Sequence, residues 1–175
     1  MKDPSDARDD GLLLQYPSEE FPAPSPFRVT VPAGWRAIPT GDAHLAVGME
    51  AVIDRFRPNV VVRVHRLSRT GDADADLDVM LTGDEDLPEV TVLEDERREG
   101  GPAPARRRLL RYAGPENTTL VARRLMIHVP VSEHFADVVS AVGTRTVDAP
   151  VDVAAAVDAV VSLRVGLTDE PATSA

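Results

Sequence analysis

Residues 117–129, NTTLVARRLMIHV, constrain the fold most strongly because they form the longest run with the two-residue period of a β-strand. The two predicted faces hold, respectively, Val121, Arg123, Leu125, Ile127 and Val129, and Leu120, Ala122, Arg124, Met126 and His128. Both faces are mainly apolar, which predicts a strand inside a sheet with a neighbour on each side. Buried arginine and histidine need partners. We therefore expect one face to pack under a helix and the other to stay partly open.

The rest of the chain divides into further strands and two helices. Predicted strands cover residues 27–31, 45–51, 59–67, 90–99, 105–113 and 133–143. Acidic residues at the start of residues 70–86 favour a short amphipathic helix, capped by Thr70 or Asp72. A second helix is predicted from residues 148–150, DAP, to Leu163 or Arg164. Trp35 follows a turn and is expected to pack over one end of the core.

The element order is β-β-β-α-β-β-β-β-α, which predicts an α+β domain with an antiparallel sheet flanked by helices. At 175 residues, the chain is expected to hold one domain, over residues 26–167. Residues 1–25 are acidic and then rich in proline, which predicts a flexible or extended N-terminal arm. Residues 168–175 are expected to form a disordered tail.

Composition excludes several classes of function. The net charge of −10 argues against nonspecific binding to nucleic acid or anionic membranes. There is no cysteine, so thiolate metal sites and disulfides are impossible. The N-terminal region has only three consecutive apolar residues, at 12–14, too few for a signal peptide or a membrane span. We therefore expect a cytoplasmic protein.

Four short motifs occur in the order found in a known family: PAGW at 32–35, RPNVVV at 57–62, MIHVP at 126–130 and VVSLR at 160–164. With them, residues 27–166 resemble the Mog1/PsbP-like fold, and within it the actinobacterial LpqN-type proteins and their bacterial DcrB-like relatives. The resemblance implies an α/β/α sandwich built on an antiparallel sheet. It implies no shared enzyme activity, because members bind proteins as GTPase-binding factors, photosystem subunits, secretion-associated chaperones and surface lipoproteins. This chain departs from the LpqN type in having no lipidated cysteine.

No catalytic or metal-binding set is evident in the sequence. The alternating aspartates at 72, 74 and 76 match the start of a calcium loop, but Leu77 and Gly83 replace its required glycine and glutamate. The four histidines, His44, His65, His128 and His134, have no metal-ligand spacing. His65 and His128 would be neighbours only on adjacent strands. We therefore expect no enzyme activity, no metal and no cofactor.

An arginine-rich segment is the most unusual feature. If residues 90–99 and 105–113 form a hairpin, acids of the first strand meet arginines of the second, each pair adding about 0.2–1 kcal/mol. One interpretation is a solvated face or a charged edge that resists aggregation. The other is a recognition face for the carboxylates of a partner protein. The candidate partner-binding residues are Arg106, Arg108, Arg111, Arg123, Arg124 and His128.

The function that these observations favour is a non-enzymatic protein-binding module acting through a sheet face or edge. A chaperone or adaptor for a secreted effector is an alternative, and a large exposed apolar patch would favour it. A structural subunit of an assembly is another, and a self-associating edge, as in a homodimer, would favour that. An enzyme would need a polar pocket holding His65 or His128 beside a carboxylate.

Overall fold

The computed structural model describes residue 17 and residues 22–69, 71–98, 103–161 and 164–165. Most of the domain is a seven-stranded antiparallel sheet with the strand order β2-β3-β4-β8-β7-β6-β5. Its strands are β2 (Trp35–Ala37), β3 (Leu45–Met49), β4 (Asn59–Ser68), β5 (Thr91–Arg98), β6 (Ala105–Ala113), β7 (Thr119–Pro130) and β8 (Phe135–Thr146). The predicted α+β class and the order of the main elements are confirmed. β7 lies between β6 and β8, as predicted, and β8 is the middle strand of the seven.

Each face of the sheet carries one of the two α-helices in the described residues. α1 (Ala73–Val79) begins at Asp72, whose side chain accepts hydrogen bonds from the backbone of Asp74 and Ala75, as an N-cap does. α1 is a short helix, as predicted, and a 3₁₀ turn (Thr82–Asp84) follows it. On the opposite face, α2 (Val151–Val161) packs on β4, β7 and β8. Its buried residues are Val153, Val157, Val160 and Val161.

The main core lies between α2 and the sheet. Val60 and Val62 of β4 are fully buried against Val157 and Val160, as the valine alternation predicts. Trp35 is also part of this core, as expected. A smaller cluster on the other face joins Leu77 and Leu81 to Met126 and Val138. Since the two clusters lie on opposite faces, the strands between them are covered from both sides along part of their length.

Three short strands differ from the sequence prediction. The predicted strand 27–31 is only β1 (Phe27–Arg28), and it pairs with β9 (Arg164–Val165) in a separate two-stranded sheet. The second helix therefore does not extend to Arg164, because that backbone pairs with β1 instead. Trp35, predicted to follow a turn and contact the core, also begins β2, which pairs with β3. Strands this short form because a distant segment pairs with them, so the residue pattern of the segment itself does not predict them.

The described end of the N-terminal arm lies against the sheet. Arg66 of β4 donates hydrogen bonds to the backbone carbonyls of Pro22 and Ala23. Ser25 is buried and donates from its backbone and its hydroxyl to Asp137 of β8, at 2.7 and 2.8 Å. The predicted flexibility of residues 1–16 and 18–21, and of the tail 168–175, lies outside the described residues. None of the described helices is long and apolar enough to cross a membrane.

Candidate partner-binding face

The six predicted binding residues do not share one surface. Residues that pair directly across neighbouring strands lie on the same face of a sheet. Arg108 pairs with Arg124, and Arg106 with Met126, on the face that carries α1. We call this the polar face, and His128 also lies on it. Arg111 and Arg123 lie on the α2 face, where Arg123 pairs with Asp158 of α2.

On the polar face, Arg106 and Arg108 are held by acids of the same chain. Both guanidinium groups contact Asp95 of β5, with Nε to carboxylate distances of 2.7 and 2.9 Å. Arg106 also pairs with Asp78 of α1, and Arg108 reaches Asp84 at 3.1 Å. The Arg106 hydrogen bond, opposed by burial and supported by Arg108, lowers the pKa of Asp95 to about 2. These arginines therefore fasten α1 and the turn after it to the sheet.

Arg124 completes this network, with a side chain that is 20% exposed. Its Nη1 lies 2.7 Å from Asp84 Oδ1 and donates to the carbonyl of Met80 at 3.1 Å. The Asp84 contact is an ion pair without an aligned hydrogen bond, since Oδ1 meets no donor at a suitable angle. Burial lowers the pKa of Arg124, and the charge of Asp84 counteracts that effect. A guanidinium this enclosed has little surface left for a partner protein.

His128 also has a partner, since its Nε2 lies 2.9 Å from Asp76 Oδ2. The two side chains are only 4% and 3% exposed, beneath α1. The expectation that this face of β7 would stay partly open is therefore wrong around His128 and Met126, because α1 covers them. The pair is a histidine beside a carboxylate, as an acid-base enzyme would require, but no substrate can reach it while α1 is in place. His65 is not adjacent to it, because β8 separates the two histidine-bearing strands.

The aspartates around α1 have structural roles. Asp72 caps the helix, Asp74 pairs with Arg97 at 3.2 Å, and Asp76 pairs with His128. Among the residues that the structure describes, no group of three or more histidine or acidic residues is arranged to hold a metal ion.

On the α2 face, Arg123 lies 2.8 Å from Asp158 of α2 and 3.6 Å from Glu94 of β5. Beside it is a pocket of about 70 Å³, lined by Arg107, Arg123, Leu125, Asp158 and Val161. This volume holds no more than a few water molecules. The side chain of Arg107 has no hydrogen-bonding or ion-pair partner among the described residues. The pocket is too small for an organic ligand.

The open part of the polar face lies on β4 and β8, away from α1. Val61, Arg63, His65 and Val142 are all half-buried there, and we call them the open strip. Arg63 is 39% exposed, and its ion-pair partner Asp42 is 79% exposed. Burial, followed by the charges of Arg63, His44 and Arg124, lowers the pKa of His65.

Sequence reasoning emphasised the arginines and missed the open strip. The available signal was the alternation in residues 59–67, which places Arg63 and His65 on the face opposite the buried valines. Whether that face is covered depends on where α1 docks, and α1 covers only the end of β4 near Leu67. Where a helix docks on a sheet depends on tertiary packing, so the residue pattern of one strand cannot predict it.

Comparison with known proteins supports the fold. No protein-family model and no curated protein matches the sequence at a significant level. Among solved structures, the crystal structure of LpqN, involved in cell envelope biogenesis of Mycobacterium tuberculosis, superposes with a TM-score of 0.67. The match covers 81% of this chain and 83% of LpqN at 14% sequence identity. At that identity the likeness shows the fold alone. This chain therefore has an LpqN-like α+β fold.

Proposed function

We propose that this chain is a non-enzymatic protein-binding module whose partner docks on the open strip. The observation that carries the proposal is the character of this strip: two valines, an arginine and a histidine lie half-buried side by side on a sheet face. Apolar area with a few planar polar groups is typical of the centre of protein interfaces. The buried position of His128 and Asp76 supports a role without catalysis.

The charge of the open strip suits an acidic segment of a partner. Arg63 is bonded to Asp42 at 3.0 Å, but both groups are solvent-exposed, so the pair contributes little to stability. A partner carboxylate would replace Asp42 at small cost and take the bidentate geometry that guanidinium favours. Arg106, Arg108 and Arg124 are less suitable, because a partner would first have to displace acids of this chain, among them the buried Asp84.

The test is affinity capture with the wild-type chain and two charge-reversal variants. Arg63→Glu combined with His65→Glu reverses the open strip, whereas Arg111→Glu changes an exposed arginine on the α2 face. We expect the protein enriched by the wild type to be lost with the first variant and retained with the second. The opposite pattern would place the site on the α2 face. No enrichment by the wild type over a carrier protein would contradict the binding-module proposal.

Exposed apolar side chains offer little support for the chaperone alternative. Those described are spread over several separate segments: Val31, Val52, Val79, Val92, Leu93, Val147 and Val151. The envelope role stated for LpqN belongs to that protein. A cytoplasmic location stays our proposal, and fractionation of the native cell with an antibody against the chain would test it.

A further inference from the structure

β5 is the longer of the two edge strands in the described sheet. Among the described residues its only strand partner is β6, and all 8 of its residues are exposed. The opposite edge, β2, has only 3 residues. Alternate N–H and C=O groups of an edge strand point outward without partners and are able to pair with another strand. β5 is therefore the longest backbone edge available for pairing in the described part of the chain.

The order of charges along β5 is self-complementary. Glu94, Asp95 and Glu96 are followed directly by Arg97 and Arg98. In a parallel pair of two copies, acids would face acids and arginines would face arginines. In an antiparallel pair, the acidic half of one copy faces the basic half of the other. The bulge between Val92 and Glu94 lies outside this charged run, so the run itself is regular strand.

We propose that two copies of this chain associate through antiparallel pairing of β5, with the two-fold axis at Glu96. Residues directly opposite in such a pair lie on the same face, so their numbers add to a fixed even sum. With the axis at Glu96, Glu94 of each copy faces Arg98 of the other, and Asp95 faces Arg97. Each charged residue of the run except the axial one then faces an opposite charge.

At the two-fold axis the two Glu96 side chains face each other, and a neighbouring arginine on each side offsets their repulsion. Glu96 and Arg107 are direct neighbours across β5 and β6, and neither has an ion-pair partner among the described residues. At the axis, the order across the joined sheets becomes Arg107, Glu96, then Glu96 and Arg107 of the second copy. The free arginine on each side thus offsets the repulsion between the two glutamates.

This contact is expected to be weak. A pairing of five residues buries less area than the roughly 1,200 Å² of a stable interface. Cross-strand ion pairs contribute about 0.2–1 kcal/mol each. Association should therefore depend on concentration in the range of about 10 µM to 1 mM.

Charge exchange tests the proposed register in the full chain. In sedimentation velocity, Arg98→Glu and Glu94→Arg should each weaken self-association at least tenfold, because each places like charges opposite one another. An equimolar mixture of the two variants should associate like the wild type, since both outer pairs are then complementary. Arg111→Glu, with the same charge change as Arg98→Glu but away from the edge, should behave as the wild type.

A cysteine at the axis provides a second measurement, independent of the charge variants. The chain has no cysteine, and directly opposed residues lie about 4.5–5.5 Å apart, within disulfide range. Under mild oxidation Glu96→Cys should form a covalent dimer, whereas Arg111→Cys should not. A wild type that stays monomeric at about 1 mM, or charge variants that dimerise unchanged, would overturn the proposal. So would equal cross-linking of the two cysteine variants.

Discussion

Arg66 of β4 and Asp137 of β8 form a two-bond ion pair between adjacent strands, with Nε to Oδ1 at 2.8 Å and Nη2 to Oδ2 at 3.0 Å. Asp137 is fully buried, and Ser25 donates two further hydrogen bonds to it. Burial alone would raise the pKa of Asp137, but the hydrogen bonds from Arg66 and Ser25 outweigh it and lower the pKa. One carboxylate thus joins two strands of the sheet to the segment that precedes β1.

Replacing this carboxylate tests its role. Asp137→Asn should lower the free energy of unfolding by about 3 kcal/mol, because it removes the buried charge that accepts hydrogen bonds from Arg66 and Ser25. Urea denaturation at pH 7 measures the change. The matched control is Asp42→Asn, which removes an exposed partner of Arg63 and should leave the free energy of unfolding nearly unchanged. Similar losses of unfolding free energy in the two variants would contradict the structural role proposed for Asp137.

Asp84 should be the main attachment of the segment after α1. Its side chain is 2% exposed and lies within ion-pair distance of both Arg108 and Arg124. Asp84→Asn should cost about 2–3 kcal/mol, because Arg124 then has no acidic partner among the described residues and Arg108 keeps only Asp95. Faster amide exchange in α1 should accompany the loss. Asp86→Asn, an exposed position in the same segment, serves as the control and should change neither quantity.

Period-2 and helical patterns were sufficient to predict the main strands and both helices. Val60, Val62 and Val157 are buried where alternation or helical spacing places them. What the sequence could not provide was pairing between distant segments. Phe27 and Val165 become strand residues only because they meet each other. A strand of two residues is too short to show the alternation by which strands are predicted.

The charged residues show a similar limit. The hairpin charge pairing was predicted correctly, since Asp95 meets Arg106 and Arg108. The same arginines were expected to be available to a partner, and the sequence could not show that Asp78 and Asp84 would occupy them. A sequence does not distinguish an arginine that pairs with acids of its own chain from one that is available to a partner protein. Only the docking of α1 distinguishes them.

Acid should weaken the fold through Asp95. Its pKa is about 2 in the folded chain and 3.8 ordinarily, so its stabilisation is present above about pH 4 and is lost as the pH falls towards 2. The full shift corresponds to about 2 kcal/mol. Screening at a side chain that is 26% exposed reduces this to about 1 kcal/mol. Asp95→Asn should therefore be less stable than the wild type at pH 7, with the gap closing between pH 4 and 2.

Urea titrations over that pH range measure the gap, and Glu96→Gln is the control. Glu96 is adjacent, exposed and without an ion-pair partner among the described residues. Its variant should track the wild type at every pH. A gap for Asp95→Asn that does not change with pH would mean that the contribution is not electrostatic.

The close approach of α2 to β8 depends on Gly143. A Cβ atom there would collide with Val157 Cγ1 and lie 2.7 Å from Val161 Cγ2, both on α2. Gly143→Ala should therefore cost about 1–3 kcal/mol by forcing the helix off the sheet. Gly83→Ala is the control, since a Cβ there meets nothing within 4 Å.

A double mutant shows whether Gly143→Ala destabilises the fold by colliding with Val157 or by restricting the backbone. Val157→Ala alone should cost about 2 kcal/mol, because it leaves a cavity in the core. In Gly143→Ala combined with Val157→Ala, the new methyl group enters the space that the valine leaves. The combined loss should then fall short of the sum by about 1 kcal/mol or more in a thermodynamic cycle of urea denaturations. Strictly additive losses would show that Gly143 is needed for its backbone and not for the room it gives α2.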